Sequence, residues 1–242
     1  MKICEKIAQK SISNHACEGV TIAFLGDSVT QGCFEIYKKE NGTIETVFDK
    51  KHSYESYVFD ILATLFPICT VNIINAGISG DNAPSGLARI ERDVLRHQPD
   101  LTVVCYGLND CSDTVESKEI YINALSQIFN KIKESGSEII FMTPNMMNTK
   151  ISPFLTDKDM TEIANRTAML QNDGHFDSFI ESARALCRSK NIAVCDCYAI
   201  WKKLHECGAD TTELLSNKIN HPTRDMNKMF AYELVKTMIF ED

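Results

Sequence analysis

The sequence predicts an α/β protein, a three-layer α/β/α sandwich on a five-stranded parallel sheet. Five apolar runs of strand length, at residues 21–26, 71–75, 101–106, 138–143 and 192–195, alternate with longer segments whose apolar residues recur at three and four. The runs are near-continuously apolar rather than alternating, as strands covered on both faces by crossover helices should be. The helical segments are residues 53–66, 84–97, 117–135 and 177–190. A last helix over 223–240 follows Pro222, a residue that suits a helix start. No repeat, low-complexity tract or Pro/Gly-rich linker interrupts the chain, so one domain is expected over 1–242, with residues 1–20 as an N-terminal extension.

Two stretches fall outside the alternation and read as long loops. Residues 33–52 follow the first strand, and residues 145–173, rich in Asn, Met and Thr, follow the fourth. Both leave the carboxyl ends of strands, where open α/β sheets bind ligands.

The bulk properties narrow the partners. Lys and Arg number 25 against 33 Asp and Glu, a net charge of −8 with no sustained basic run. That argues against nucleic acid and anionic membrane surfaces, both of which need clustered cations. Residues 1–20 lack the apolar core of a signal peptide, and no stretch reaches the ~18 apolar residues of a membrane span, so a cytoplasmic location is expected. Of the 10 cysteines, Cys69, Cys105, Cys187 and Cys195 lie within apolar runs, where a reduced thiol acts as a small hydrophobe. Cys195 and Cys197 form a C-x-C pair without a second ligand pair at zinc spacing, so no metal is expected.

Four blocks carry chemistry. The first strand ends in Gly26-Asp27-Ser28-Val29-Thr30-Gln31-Gly32, which places a serine hydroxyl at the rim of the sheet, beside the free N–H groups of an inferred helical turn. Asn75-Ala76-Gly77-Ile78-Ser79-Gly80-Asp81-Asn82 follows the second strand, and Gly80 can bring a bare backbone N–H close to a ligand. Tyr106-Gly107-Leu108-Asn109-Asp110 follows the third strand, and Asn109 offers a side-chain donor. Asn217-Lys218-Ile219-Asn220-His221-Pro222 precedes the last helix and supplies an imidazole. Acyl transfer needs this set: a hydroxyl activated by a base with a pKa near neutrality, and donors aimed at the oxyanion of the tetrahedral intermediate. Ser28 is the expected nucleophile and His221 the base, with Ser28 N–H, Gly80 N–H and the Asn109 amide as oxyanion donors. Asp27 and Asp110 read as braces of their own loops. His175 is a second, less favoured base.

In this order and strand context the four blocks resemble those of the SGNH hydrolases, also called the GDSL-like lipase and esterase family. The name letters fall on Ser28, Gly80, Asn109 and His221, and the resemblance runs from residue 21 to the final helix. It implies a flavodoxin-like sandwich, no cofactor, hydrolysis through an acyl-enzyme, and the same roles for those four residues. Family substrates include acyl thioesters, lysophospholipids, simple esters and O-acetylated sugars.

One position departs from the family pattern. An aspartate usually stands three residues before the histidine; here Lys218 does, and an ammonium cannot accept a hydrogen bond from imidazole. Asn217, Asn220 or a backbone carbonyl near Lys218 are the candidates to orient the ring. Asp196 and Asp225 are the nearest carboxylates in sequence, and neither is assigned. The only literal D-x-x-H, Asp49-Lys50-Lys51-His52, lies in the first loop and is read as coincidence.

The expected function is therefore a serine esterase acting on a small acyl ester, such as an O-acetyl group on a carbohydrate, with a small molecule as partner. The alternatives are a thioesterase or lysophospholipase of the same family, and a binding module that has lost hydrolysis through Lys218. A phosphate or nucleotide binder is disfavoured, because no G-x-G-x-x-G or Walker A string follows any strand.

Overall fold

The computed structural model describes residues 1–240. The chain opens with a helix, α1 (Lys2–Ile12), where an extension was expected. Its Ile3 and Ile7, one turn apart, are both 1% exposed and join the main core. Glu138 closes the start of this helix, accepting from the N–H groups of Lys2 and Ile3 at 3.0 and 2.6 Å.

Strand β1 (Val20–Gly26) runs into a single helical turn, α2 (Ser28–Gln31), and then into β2 (Cys33–Lys38) and β3 (Ile44–Phe48). Crossover units follow: α3 (Tyr54–Leu65), β4 (Val71–Gly77), α4 (Ala83–Asp93), β5 (Leu101–Cys105), α5 (Val115–Glu134) and β6 (Glu138–Met142). The chain finishes with α6 (Lys158–Asn172), α7 (His175–Lys190), β7 (Ala193–Cys195), α8 (Cys197–Glu206) and α9 (Arg224–Phe240). Five strands form one parallel sheet in the order β4-β1-β5-β6-β7, which is the flavodoxin-like order 2-1-3-4-5 when counted within the sheet. Helices cover both faces, so β5 (LTVVC) is buried at every position, while the edge strand β4 is only half covered.

Both expected loops contain regular structure. Residues 33–52 fold as the antiparallel hairpin β2–β3 followed by a 3-10 turn over Lys50–His52. The hairpin pairs with itself rather than with the sheet, and its tip is exposed, so its apolar pattern was too weak to read as strands. Residues 145–173 contain α6, whose mixed composition hid a one-sided apolar stripe at Met160, Ala164 and Ala168. The expected helix over 84–97 breaks at Val94 and ends in a 3-10 turn, Leu95–His97.

One large core gathers both faces of the sheet and includes Met146, Met147, Tyr198 and Trp201. A second, small cluster of Met160, Ala164 and Ile219 packs with Ile36, Ile151 and Leu155. It joins the hairpin and α6 to the segment just before His221. Among the described residues no helix is long and apolar enough to cross a membrane.

Candidate active site

The site begins where β1 ends, at the switch point between β1 and β5. Gly26 pairs in register with Gly77 of β4 and Cys105 of β5, so three loops leave the sheet side by side. The two glycines are required by close approach. A Cβ on Gly77 would lie 2.3 Å from Gln31 N, and one on Gly26 would lie 2.1 Å from Thr30 Oγ1. Without those atoms, α2 folds back onto the strand ends.

Several bonds hold that turn. Asp27 caps it, accepting from Val29 N–H at 2.9 Å. Thr30 Oγ1 pairs with Tyr54 Oη at 2.7 Å, and Asn75 Nδ2 donates to the Thr30 carbonyl at 2.7 Å and to Glu55 Oε1 at 2.5 Å. Ser28, the first residue of α2, is thus fixed by its neighbours on both sides.

His221 arrives on an equally braced segment. Asn217 Oδ1 accepts from the N–H groups of Ile219, Asn220 and His221 at 3.0, 2.9 and 2.9 Å. Asn145 Nδ2 donates to the Asn220 carbonyl at 2.8 Å, and Asn148 N–H to the Ile219 carbonyl at 2.8 Å. The ring then meets two partners: Nε2 lies 2.9 Å from Ser28 Oγ, and Nδ1 lies 2.9 Å from the carbonyl oxygen of Phe34 on β2. A carbonyl can only accept, so Nδ1 must carry the proton. That leaves Nε2 as an acceptor for the serine hydroxyl in the neutral ring, the tautomer a general base requires. Burial pushes His221 down to about 4, opposed by the Phe34 carbonyl and by the nearby Glu35 charge, so the ring is neutral at pH 7.

The structure places the candidate supports elsewhere. Asn217 holds the backbone of the histidine segment and donates through Nδ2 to Asn220 Oδ1 at 2.9 Å; neither amide bonds the ring. Lys218, in left-handed backbone at φ +59°, reaches Glu213, 2.8 Å to its carboxylate and 3.1 Å to its carbonyl. Asp196 caps α8 and pairs with Arg184, and Asp225 pairs with Lys228. Asp49 binds His52 and Arg224. His175 starts α7. Among the described residues the ring's second partner is a backbone group contributed 187 positions away, not one near Lys218. No residue type marks such a group, so the sequence held no signal for it.

Gly80 and Asn109 lie on the neighbouring loops, both exposed. Gly80 is left-handed at φ +77° with open space where a Cβ would stand. Asn109 Nδ2 donates to the Asp81 carbonyl at 2.8 Å, which fixes the amide and leaves its second hydrogen to point elsewhere. Asp110 Oδ1 accepts from Ala83 N–H at 2.9 Å, tying the Asn109 loop to the start of α4.

Beneath these loops lies a buried network that the sequence reading missed. Arg89 donates through Nε to Asp81 Oδ2 at 2.9 Å, and a second contact from Nη2 makes the pair two-pronged. It also reaches the carbonyls of Ala76 and Gly26 at 2.7 and 3.0 Å, while Tyr106 Oη donates to Asp81 at 2.7 Å. One cation therefore pins the ends of β1 and β4 and the loop bearing Gly80. The available signal was a charge on the buried face of α4, which also holds Ala83, Gly86 and Ile90. Burial beside this network pushes the carboxyls of Asp27 and Asp110 up to about 7.

The fold and the site together define a class, that of flavodoxin-like α/β proteins with a serine hydroxyl hydrogen-bonded to an imidazole at the switch-point rim. The chain belongs to the GDSL-like lipase/acylhydrolase family, whose model matches residues 24–229. It is 27% identical over 135 residues to an acetylxylan esterase of Geobacillus stearothermophilus, covering 52% of this chain and 60% of that protein. It is 39% identical over 72 residues to an arylesterase of Vibrio mimicus, covering 30% of this chain and 36% of that one. The chain thus spans less than two thirds of either curated relative. The solved acetylxylan esterase Axe2 of G. stearothermophilus superposes with a TM-score of 0.67 at 21% identity, over 93% of this chain and 96% of that one. A lipase/acylhydrolase from Enterococcus faecalis gives 0.64 at 20% identity, over 90% and 95%. At such identities the likeness is one of fold.

Proposed function

We propose that this chain is a serine esterase that removes a small acyl group, with an O-acetyl group on a carbohydrate as the favoured substrate. The observation that carries the reading is the 2.9 Å contact between Ser28 Oγ and His221 Nε2. Ser28 Oγ attacks the ester carbonyl carbon as its proton passes to Nε2. The oxyanion so formed is met by Ser28 N–H, Gly80 N–H and the Asn109 amide; losing one such donor typically costs about 2.7–4 kcal/mol. Collapse of the intermediate breaks the bond to the alkoxy group, which leaves as the alcohol with the proton from Nε2. Water, deprotonated by the same nitrogen, then releases the acid and restores the serine.

Phe34 takes the orienting share of a triad acid. Replacing that acid by asparagine in a serine protease costs about 10⁴ in kcat through the wrong tautomer. A carbonyl at Nδ1 preserves the tautomer and gives up only the full negative charge, so the enzyme keeps turnover at a reduced rate. The short-acyl preference is supported by burial, with Ser28 4% and His221 3% exposed, and by the acetylxylan esterase among its relatives. The burial of Cys33, Cys69, Cys105, Cys111, Cys187, Cys195 and Cys197 as free thiols supports the cytoplasmic reading.

The test is hydrolysis of p-nitrophenyl acetate and of acetylated xylo-oligosaccharides by wild type and Ser28→Ala. Equal rates in the two proteins rule Ser28 out. A p-nitrophenyl ester series settles acyl length, and a preference for eight carbons or more defeats the short-acyl reading in favour of a lysophospholipase or thioesterase. Failure of a fluorophosphonate to label wild type identifies a binding module instead.

A further inference from the structure

Arg224 stands three residues after His221, as the first residue of α9, and grips the hairpin that carries Phe34. Its Nη1 and Nη2 donate to the two carboxylate oxygens of Glu35 at 2.6 and 3.2 Å, and its Nε donates to Asp49 Oδ2 at 2.7 Å. Its guanidinium carbon lies 4.3 Å from the centroid of the Phe34 ring. Glu35 adjoins Phe34, and Asp49 directly follows β3, with its N–H on the Gly32 carbonyl at 2.8 Å. One cation thus holds the aromatic ring, the next residue along and the end of the opposite strand.

The hairpin needs such a tie at its base. A two-stranded hairpin is marginal alone, and this one is not extended by the main sheet. Two further attachments lie farther out, with Ile36 in the small cluster and Lys38 paired to Asp159 at 2.7 Å. A carboxylate could orient imidazole from several directions with either oxygen. A peptide carbonyl has one oxygen and no rotamer of its own, so its direction is set wholly by the backbone that carries it.

We propose that Arg224 is a positioning residue for the reaction, locking the β2–β3 hairpin so that the Phe34 carbonyl faces His221 Nδ1. The proposal rests on the esterase reading above. Arg224 reaches the chemistry through Phe34, and it acts on the orientation of the base rather than on substrate binding.

The test compares full-length Arg224→Ala and Arg224→Lys with Arg184→Ala, which breaks ion pairs to Asp196 and Glu181 away from the rim. Arg224→Ala is expected to lower kcat on p-nitrophenyl acetate by roughly 10²-fold, the scale of a displaced catalytic geometry, with KM little changed. Arg224→Lys should recover part of the loss, since it keeps the charge without the fork or the stack. Arg184→Ala should keep wild-type kcat. By proton NMR, the slowly exchanging Nδ1–H resonance of His221, assigned by its absence in His221→Ala, should vanish in Arg224→Ala and persist in Arg184→Ala. If Arg224→Ala does not fold, Arg224→Lys and Glu35→Gln serve, each with a lowered kcat at near-native melting temperature. A folded Arg224 or Glu35 variant with wild-type kcat and an intact Nδ1–H signal overturns the proposal. If Ser28→Ala is inactive while Arg224→Ala is unaffected, this inference alone fails; if Ser28→Ala equals wild type, the esterase reading fails and takes this inference with it.

Discussion

The carbonyl oxygen of Phe34 lies 2.9 Å from His221 Nδ1, on the side of the ring opposite Ser28. A neutral dipole there, in a site almost closed to water, leaves the imidazole far less basic than one backed by a carboxylate. Burial dominates, and the ring is held down at about 4 against an ordinary 6.5. On the proposed esterase mechanism activity needs the neutral ring, so it rises with pH through the folded value and is flat above it. The acid limb of kcat/KM is expected near pH 4, with most activity kept at pH 5.5. A limb at pH 6 to 7, measured with p-nitrophenyl acetate, contradicts this.

Asn217 and Lys218 are neighbours with opposite expected consequences. Asn217→Ala strips the acceptor from three N–H groups, and leaving even one buried donor unpaired costs about 1–3 kcal/mol. Urea denaturation should show at least that loss, together with reduced kcat from a loosened His221. Asn217→Asp keeps the acceptor and should retain the fold. Lys218→Ala removes a partly exposed ion pair with Glu213, worth at most about 1 kcal/mol, and should leave kcat unchanged.

Gly77→Ala tests the close approach beneath Ser28, the proposed nucleophile. The added methyl meets Gln31 N at 2.3 Å, backbone that cannot swing aside, so α2 must shift. A displacement of that kind should lower kcat by about 10²-fold. Hydrolysis of p-nitrophenyl acetate by wild type and Gly77→Ala checks this, and equal kcat in the two proteins contradicts it.

Asp27, Asp110 and Glu55 give the protein an unusual stability profile. Burial lifts each carboxyl to about 7, from 3.8 for the aspartates and 4.5 for the glutamate. The folded state then holds more protons than the unfolded one between about pH 4 and pH 7, so these groups lower stability as pH rises through that window. His221 acts in the opposite sense, because its lowered value makes folding weaken as pH falls from 6.5 toward 4. Asp110→Asn removes one of the three carboxyls while keeping an acceptor for Ala83 N–H. Its melting temperature should exceed wild type at pH 8 and converge with it at pH 5. A constant difference at both pH values contradicts the raised value.

The alternation of apolar runs with helical periods determined the sheet, its parallel sense and its covering helices, because burial on both faces leaves strands no polar positions. The Ser28, Gly80, Asn109 and His221 blocks were legible for a related reason: each is a run of turn residues immediately beyond a strand or before a helix, where a parallel sheet must present its rim. The hairpin, α6 and α1 were less legible, since each packs through only a few apolar residues.

The tertiary structure alone decided what stands behind the imidazole. Every residue carries a backbone carbonyl, so nothing in the identity of Phe34 distinguishes its oxygen from any other; only placement by the hairpin, Glu35, Asp49 and Arg224 selects it. The same holds for Arg89, whose partners Gly26, Tyr106 and the pair Ala76 and Asp81 come from three separate stretches of chain. Side-chain chemistry is written residue by residue, whereas the direction of a carbonyl or the meeting of distant charges exists only once the chain has folded.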